Sequence, residues 1–172
     1  MRCPGTIALL SVLVAAGATT ARAQGPAPGR AGRRPLLPRA YEVALARSAA
    51  PASVSARARV LAFTDSGYVV ADTGTSEVTC VVNRSWPRSL EPHCYDAEGA
   101  ASVLPIELRR TELAHRGVPA GEIEREVAAG LATGRFRLPR RPAMTYMMSA
   151  AQTLYDDDGT LVGAWRPHVM LY

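Results

Sequence analysis

Three short runs near the middle of the chain are rich in apolar and β-branched residues, which is the pattern of short β-strands. The runs cover residues 59–64, 68–72 and 77–83, and turns containing glycine separate them at 65–67 and 73–75. Short runs rich in β-branched residues and joined by such turns predict a three-strand antiparallel meander.

After residue 100 the pattern of apolar residues becomes helical. We predict a helix over 102–116, capped by Ser102 and carrying Pro105 in its first turn, where proline is tolerated. A second helix is predicted over 119–134, because its apolar side chains recur every four residues on one face. A shorter helix is predicted before the meander, over 41–49.

Two further apolar runs, 144–155 and 160–165, flank an Asp-Gly pair at Asp158 and Gly159. Asp-Gly between apolar runs is a strong hairpin signal. The order of strands, helices and strands predicts an α+β fold. In this fold an antiparallel sheet, formed by the meander and the C-terminal hairpin, carries two helices packed on one face.

The first residues follow a different pattern. Arg2 precedes an apolar run over 6–18, and an Ala-x-Ala sequence ends at Ala23. This order is typical of a secretory signal peptide, here 1–23, and the run is shorter than the about 20 residues that span a bilayer. We therefore expect a secreted or periplasmic chain that begins at Gln24 and has no transmembrane helix.

The next segment, 24–39, is dominated by proline, glycine and arginine and has no apolar periodicity. Such a composition cannot form a packed core, so we predict a disordered tether. The remaining residues, 40–172, are sufficient for a single α+β domain.

Every basic residue is arginine, and the 20 arginines against 15 acids give a net charge of +5. Removal of the signal peptide lowers this to +3, and alanine is abundant, so the composition is typical of an exported bacterial protein from a GC-rich genome. It does not indicate specific nucleic acid binding, for which no motif is present. An anionic envelope surface is an alternative partner for a set of arginines: Arg30, Arg33, Arg34, Arg135, Arg137, Arg140 and Arg141.

Cys80 and Cys94 are the two cysteines that remain after the signal peptide is removed. An even number in an oxidising compartment favours one disulfide bond between them. The alternative is a pair of free thiols.

The segment 86–99 combines chemically active side chains in what we predict to be a long irregular loop. In a secreted enzyme, His93 would serve as a base with Asp96 or Glu98 as its carboxylate partner, while Trp86 and Tyr95 would bind the substrate. The alternative is a disulfide-anchored crossover with the two aromatic residues buried and one of the two acids capping the next helix.

A second group of side chains has soft donor atoms. His168 with Met147 or Met148 would suit copper or haem iron. The alternative is a structural histidine among methionines that fill the core.

The sequence thus favours a binding or scaffold module of the cell envelope that needs no cofactor. A secreted enzyme that uses 86–99 and a Met/His metal or haem binder are the alternatives.

Overall fold

The computed structural model describes residues 32–156 and 158–172. The predicted signal peptide and the start of the predicted tether lie outside the described residues. The described part of the chain forms four helices and eight strands, in the order α1 (Arg39–Arg47), α2 (Ala52–Ser55), β1 (Arg59–Thr64), β2 (Gly67–Asp72), β3 (Thr79–Asn83), β4 (Glu91–Tyr95), α3 (Ala97–His115), α4 (Ala120–Ala132), β5 (Met144–Met147), β6 (Leu154–Tyr155), β7 (Leu161–Gly163) and β8 (His168–Leu171).

Six of these strands form one mixed sheet in the order β2-β1-β3-β4-β5-β8, while β6 and β7 pair separately. The predicted meander is wrong at its third strand. β3 does not follow β2 but lies against β1 in parallel, with Arg59 opposite Thr79. All other neighbouring strands are antiparallel.

The loop between β2 and β3 explains this arrangement. The backbone N–H groups of Thr75 and Ser76 donate to the carbonyl oxygen of Arg57, at 2.8 and 3.0 Å, just before β1 begins. Gly74 has a φ of +62° and lies so close that a Cβ atom would be 2.4 Å from the backbone nitrogen of Arg59. The loop therefore crosses the start of β1, and β3 emerges on its other side.

Helices cover both faces of the sheet, whereas the prediction assigned only the two helices after the meander, both to one face. Cys80 and Val82 of β3 pack in a cluster with α1, whereas Val81 between them packs in a cluster with α3. Because successive side chains of a strand point to opposite faces, α1 and α3 lie on opposite faces. α4 packs on α3.

The predicted first residue of the long helix is also wrong. α3 begins at Ala97, because the Asp96 Oδ1 atom accepts a hydrogen bond from the N–H of Gly99 at 2.7 Å and caps the helix. Ser102 and Pro105 consequently lie inside the helix. A proline inside a helix removes one backbone hydrogen bond, and the helix continues past Pro105 over 19 residues in all.

Near the C-terminus, 144–155 is two strands rather than one. β6 and β7 form a short antiparallel pair around the Asp-Gly turn, with Leu154 opposite Gly163 and a φ of +84° at Gly159, which confirms the hairpin for these residues. β5 instead pairs with β8, so that Met147 lies opposite His168.

The segment 86–99 is not an irregular loop. It contains β4, whose residues are all buried, and the first residues of α3. Burial of β4 on both faces allows Glu91, Pro92 and His93 to occupy a strand without the alternation that would reveal it.

The described end of the predicted tether, 32–38, lies against the domain. The backbone N–H of Arg34 donates to His115 Nδ1 at 2.8 Å, and its Nε donates to the carbonyl oxygen of Arg84 at 3.1 Å. Arg34 is only 3% exposed. This part of the segment is therefore packed.

None of the helices in the described part of the chain is long and apolar enough to cross a membrane.

Candidate functional site

Cys80 and Cys94 face each other across β3 and β4 as a directly paired couple. Their sulfur atoms are 1.99 Å apart and their Cα atoms 4.0 Å apart, which confirms the predicted pairing. Both cysteines are fully buried in the cluster beneath α1. The bridge therefore joins the two central strands on the α1 face.

The neighbours of Cys94 on β4, His93 and Tyr95, point to the opposite face and meet Asn83 at the end of β3. Asn83 Nδ2 is 2.8 Å from His93 Nδ1 and donates to Tyr95 Oη at 2.8 Å. His93 Nδ1 and Tyr95 Oη are 2.9 Å apart. These three buried side chains form a closed triangle of hydrogen bonds, which we call the His93 cluster.

Two buried atoms of this cluster, His93 Nε2 and Asn83 Oδ1, have no hydrogen-bond partner among the described residues. Burial, with a smaller contribution from His168, lowers the pKa of His93 to about 3. Burial likewise raises the pKa of Tyr95 well above its usual value. The His93 cluster is thus neutral at physiological pH, and one ring nitrogen remains available.

His93 borders a cavity of about 370 Å³, which we call the His93 pocket. The pocket lies between the sheet face formed by β3, β4, β5 and β8 and the helix α3. Both tryptophans of the chain line it, together with other aromatic and soft side chains: Trp86, Trp165, Tyr172, Met147, Met170 and His168. The walls are therefore mostly aromatic or apolar.

Two carboxyl groups also border the His93 pocket. Glu91 Oε1 accepts from the N–H of Ser85 at 3.0 Å, and burial raises the pKa of Glu91. Glu107 on α3 forms an ion pair with Arg110 at 2.8 Å. Besides burial, its negative charge contributes to the raised pKa of Tyr95 and of Glu91. The negative electrostatic potential at this wall of the pocket disfavours an anionic ligand.

The two other candidate catalytic residues do not join His93. Asp96 caps α3 and also accepts from the N–H of Met144 at 3.0 Å. Glu98 pairs with Arg137 and Arg141 and accepts from the N–H of Arg140 at 2.8 Å. Neither acid is among the residues that line the His93 pocket.

The hydrogen bond from Arg137, helped by the backbone N–H of Arg140, lowers the pKa of Glu98 to about 2. We call Asp96 and Glu98 with their partners the Asp96 cluster. Within it, Asp96 has the helix-capping role that was the alternative to catalysis in the sequence analysis.

The structure separates the two methionines proposed as metal ligands. Met147 lines the pocket beside His168, whereas Met148 is 41% exposed and its N–H donates to the carbonyl oxygen of Ala49 on the α1 side. Among the described residues, no group of three or more His, Cys, Asp or Glu side chains is arranged to hold a metal ion.

Most arginines proposed for an anionic surface contact acids of the same chain. Arg33 pairs with Asp65 and Arg135 pairs with Glu126. Arg137 and Arg141 both pair with Glu98. Arg30 lies outside the described residues.

Sequence reasoning missed Asn83, Glu107 and Trp165 as members of the site. Asn83 lies on the same face of β3 as Val81, which is opposite His93, so alternation along the predicted strand could have placed Asn83 near His93. Glu107 and Trp165 reach the pocket only through tertiary packing, which local pattern does not reveal.

A neighbouring cavity of about 430 Å³ shares Ser85, Trp86 and Glu107 with the His93 pocket. Its cationic side chains have partners: Arg110 pairs with Glu124 at 2.8 Å, and Arg34 donates to backbone carbonyls. Arg84, which also lines this cavity, pairs with Glu42 at 2.9 Å, whereas His93 Nε2 has neither a hydrogen bond nor an ion pair among the described residues, which distinguishes the His93 pocket as the candidate site.

No protein-family model matches this chain, and comparisons with curated proteins and with solved structures find no match.

Proposed function

We propose that this chain is an exported binding module that holds a small ligand in the His93 pocket. The observation that carries the proposal is the buried His93 Nε2 on the wall of the pocket, which has no hydrogen-bond partner in the part of the chain that the structure describes. A buried polar atom without a partner costs roughly 1–3 kcal/mol. A ligand that bonds to this nitrogen would recover that free energy on binding.

The composition of the walls supports the same proposal. Small-molecule sites combine aromatic and apolar walls with a few polar groups that fix orientation, in cavities of roughly 300–1,000 Å³. The His93 pocket has this composition and a volume of about 370 Å³. Because Glu91 and Glu107 border it, we expect neutral or cationic ligands to bind better than anions.

A pair of variants on β8 tests the pocket as the binding site. Met170 lines the pocket, whereas Val169 is 41% exposed and is not part of the lining. Met170→Trp should fill the cavity, and Val169→Trp places the same side chain on the same strand without filling it. Saturation-transfer NMR would measure binding of phenol, benzyltrimethylammonium and benzoate to the full chain and to each variant.

We expect phenol and benzyltrimethylammonium to bind the unmodified chain and Val169→Trp but not Met170→Trp, and benzoate to bind least. Equal binding to both variants would contradict the proposal, and so would the absence of binding to the unmodified chain.

Export is a separate part of the proposal. It rests on the signal-peptide pattern and on a cysteine pair at disulfide distance, which suits an oxidising compartment. N-terminal sequencing of protein recovered outside the cytoplasm of a bacterial host should begin at Gln24. An intact Met1 on exported protein would contradict cleavage at this site.

A further inference from the structure

Three soft or nitrogen-bearing side chains form a row across the sheet in the His93 pocket. Met147 on β5 lies opposite His168 on β8. β4 pairs with β5 through Cys94 and Tyr146, and one further step of that antiparallel register places His93 opposite Met147. Neighbouring strands are about 4.8 Å apart, so the methionine stands between two imidazoles on one face.

His168 presents a lone pair. Its Nδ1 atom is 2.6 Å from the carbonyl oxygen of Arg166. A carbonyl oxygen only accepts hydrogen bonds, so in the neutral ring Nδ1 carries the proton and Nε2 is the nitrogen with a lone pair. A ring nitrogen that donates to a backbone carbonyl is the usual arrangement for a histidine that binds metal through its other nitrogen.

His93 has the same division of roles. Its Nδ1 atom is held by Asn83 and Tyr95, and its Nε2 atom is unpartnered. A half-turn of the Asn83 amide places its oxygen, an acceptor, at the position that faces Nδ1. Nδ1 and Tyr95 Oη then both donate to the amide oxygen, and Nε2 becomes a second unprotonated donor atom.

We propose that the His93 pocket binds one monovalent copper ion through His93 Nε2, His168 Nε2 and Met147 Sδ, an inference that rests on the proposed function of the pocket. Two imidazole nitrogens and a thioether are the soft donors that suit Cu(I). Met147 is only 3% exposed, so the thioether is held in place by its surroundings.

The surroundings favour a monovalent cation over other metals. Three neutral donors leave the ion with a charge of +1, and Glu91 and Glu107 at the pocket wall complement it. Zinc sites require thiolates, imidazoles or carboxylates in tetrahedral sets, whereas this row contains a thioether and two imidazoles. Cys80 and Cys94 are joined to each other and do not compete as thiolates.

The experiment compares two adjacent methionines. The full chain carrying Cys3→Ser, which removes the remaining thiol, would be titrated with Ag(I) as a redox-inert substitute and with Cu(I) kept reduced by ascorbate. Affinity would be measured by competition with a chromogenic Cu(I) chelator, and Zn(II) would be titrated in parallel. Met147→Leu preserves volume, and Met148→Leu is the matched control because Met148 lies outside the pocket.

We expect one Ag(I) or Cu(I) per chain, quenching of the tryptophan fluorescence, and no stoichiometric Zn(II). Met147→Leu and His168→Gln should each weaken binding at least about tenfold, the effect seen even for residues that only support metal ligands. Met148→Leu should bind as the unmodified chain does.

Equal affinity in the two methionine variants, or a preference for Zn(II), would overturn the copper inference. Failure of Ag(I) and Cu(I) to bind would overturn it as well. In either case the Met170→Trp and Val169→Trp pair still decides whether the pocket binds small ligands, so the two proposals fail separately.

Discussion

The Asp96 cluster and the His93 cluster both depend on β4, and they differ in how completely their polar atoms are used. Both carboxylate oxygens of Asp96 accept backbone hydrogen bonds, and Glu98 is surrounded by arginine donors. In the His93 cluster, His93 Nε2 lacks a partner among the described residues, although it is buried.

This difference separates stability from binding. A fully satisfied polar cluster stabilises the fold by joining its elements, here α3, β5 and residues 137–141. A buried cluster that is only partly satisfied opposes folding until something bonds to it. Residue type does not distinguish the two, because a histidine and two acids looked equally catalytic in the sequence.

The largest effect concerns the disulfide, which supports both clusters because it holds β4 to β3. Replacing both Cys80 and Cys94 with alanine should lower the free energy of unfolding by roughly 3 kcal/mol, the value for a loop of about fifteen residues. Urea denaturation of the oxidised chain and the double variant measures this. A loss below about 1 kcal/mol would show that the bridge does not constrain the unfolded chain as described.

The next effect contrasts the clusters directly. Asp96→Ala removes the cap of α3 and the partner of the Met144 N–H, and should cost roughly 2 kcal/mol. Asp96→Ser retains a capping oxygen and should recover part of the loss. His168→Ala, which affects the pocket side, should change stability by about 0.5 kcal/mol or less. Equal losses for Asp96→Ala and His168→Ala in urea denaturation would contradict the assigned roles.

A third test separates the clusters by pH. The pKa of His93 is about 3 in the folded chain against 6.5 normally, so the folded state binds fewer protons. Its contribution to stability is complete above pH 6.5 and declines as the pH falls toward 3. The slope for one proton approaches about 1.4 kcal/mol per pH unit. The contribution of Glu98 to stability declines over a lower pH range, from pH 4.5 down to about 2, because its pKa is lowered to about 2 in the folded chain.

Urea denaturation between pH 6.5 and 5 should therefore show a decline that His93→Gln removes and Glu98→Gln leaves unchanged. Glu42 and Glu91, whose pKa values are raised by burial, contribute with the opposite sign, but they cancel in the difference between variants. Parallel curves for the unmodified chain and His93→Gln would contradict this, because they would mean that His93 takes up its proton as readily in the folded chain as in the unfolded chain.

The smallest effect lies outside both clusters, in the β6–β7 hairpin. Gly159 has a φ of +84°, so Gly159→Val should cost about 1 kcal/mol through backbone strain. Gly159→Asn, which tolerates this conformation better, should cost less. Thermal unfolding measures both variants, and ligand binding should be unchanged. A valine variant as stable as the asparagine variant would contradict the turn.

The sequence identified features that depend on local pattern. The strand β1, the Asp-Gly turn and the Cys80–Cys94 pairing follow from a short apolar run bounded by a turn, from turn chemistry and from cysteine number. The parallel pairing of β1 with β3 depends on the approach of Gly74 to the backbone of Arg59, which alternation does not encode. β4 was hidden because a strand buried on both faces with polar residues at Glu91 and His93 lacks a period of two.

Local sequence pattern was equally insufficient to define the candidate site. Trp86, His93, Tyr95, His168 and Met147 were each selected by residue type, and the structure brings them to one pocket. Asp96 and Glu98 were selected on the same grounds but lie outside this pocket. They accept hydrogen bonds from residues at positions 137–144, about forty residues away along the chain, and local pattern does not reveal such contacts.

The most direct test of this account is the histidine side-chain ¹⁵N NMR spectrum of the labelled full chain. The chain has three histidines, and His115 is an internal control because its Nδ1 already accepts from the N–H of Arg34. On addition of phenol, or of Ag(I), the account predicts a shift of the His93 Nε2 resonance with His115 unchanged. Binding that leaves both His93 nitrogens unmoved would contradict the claim that the ligand is held at this atom.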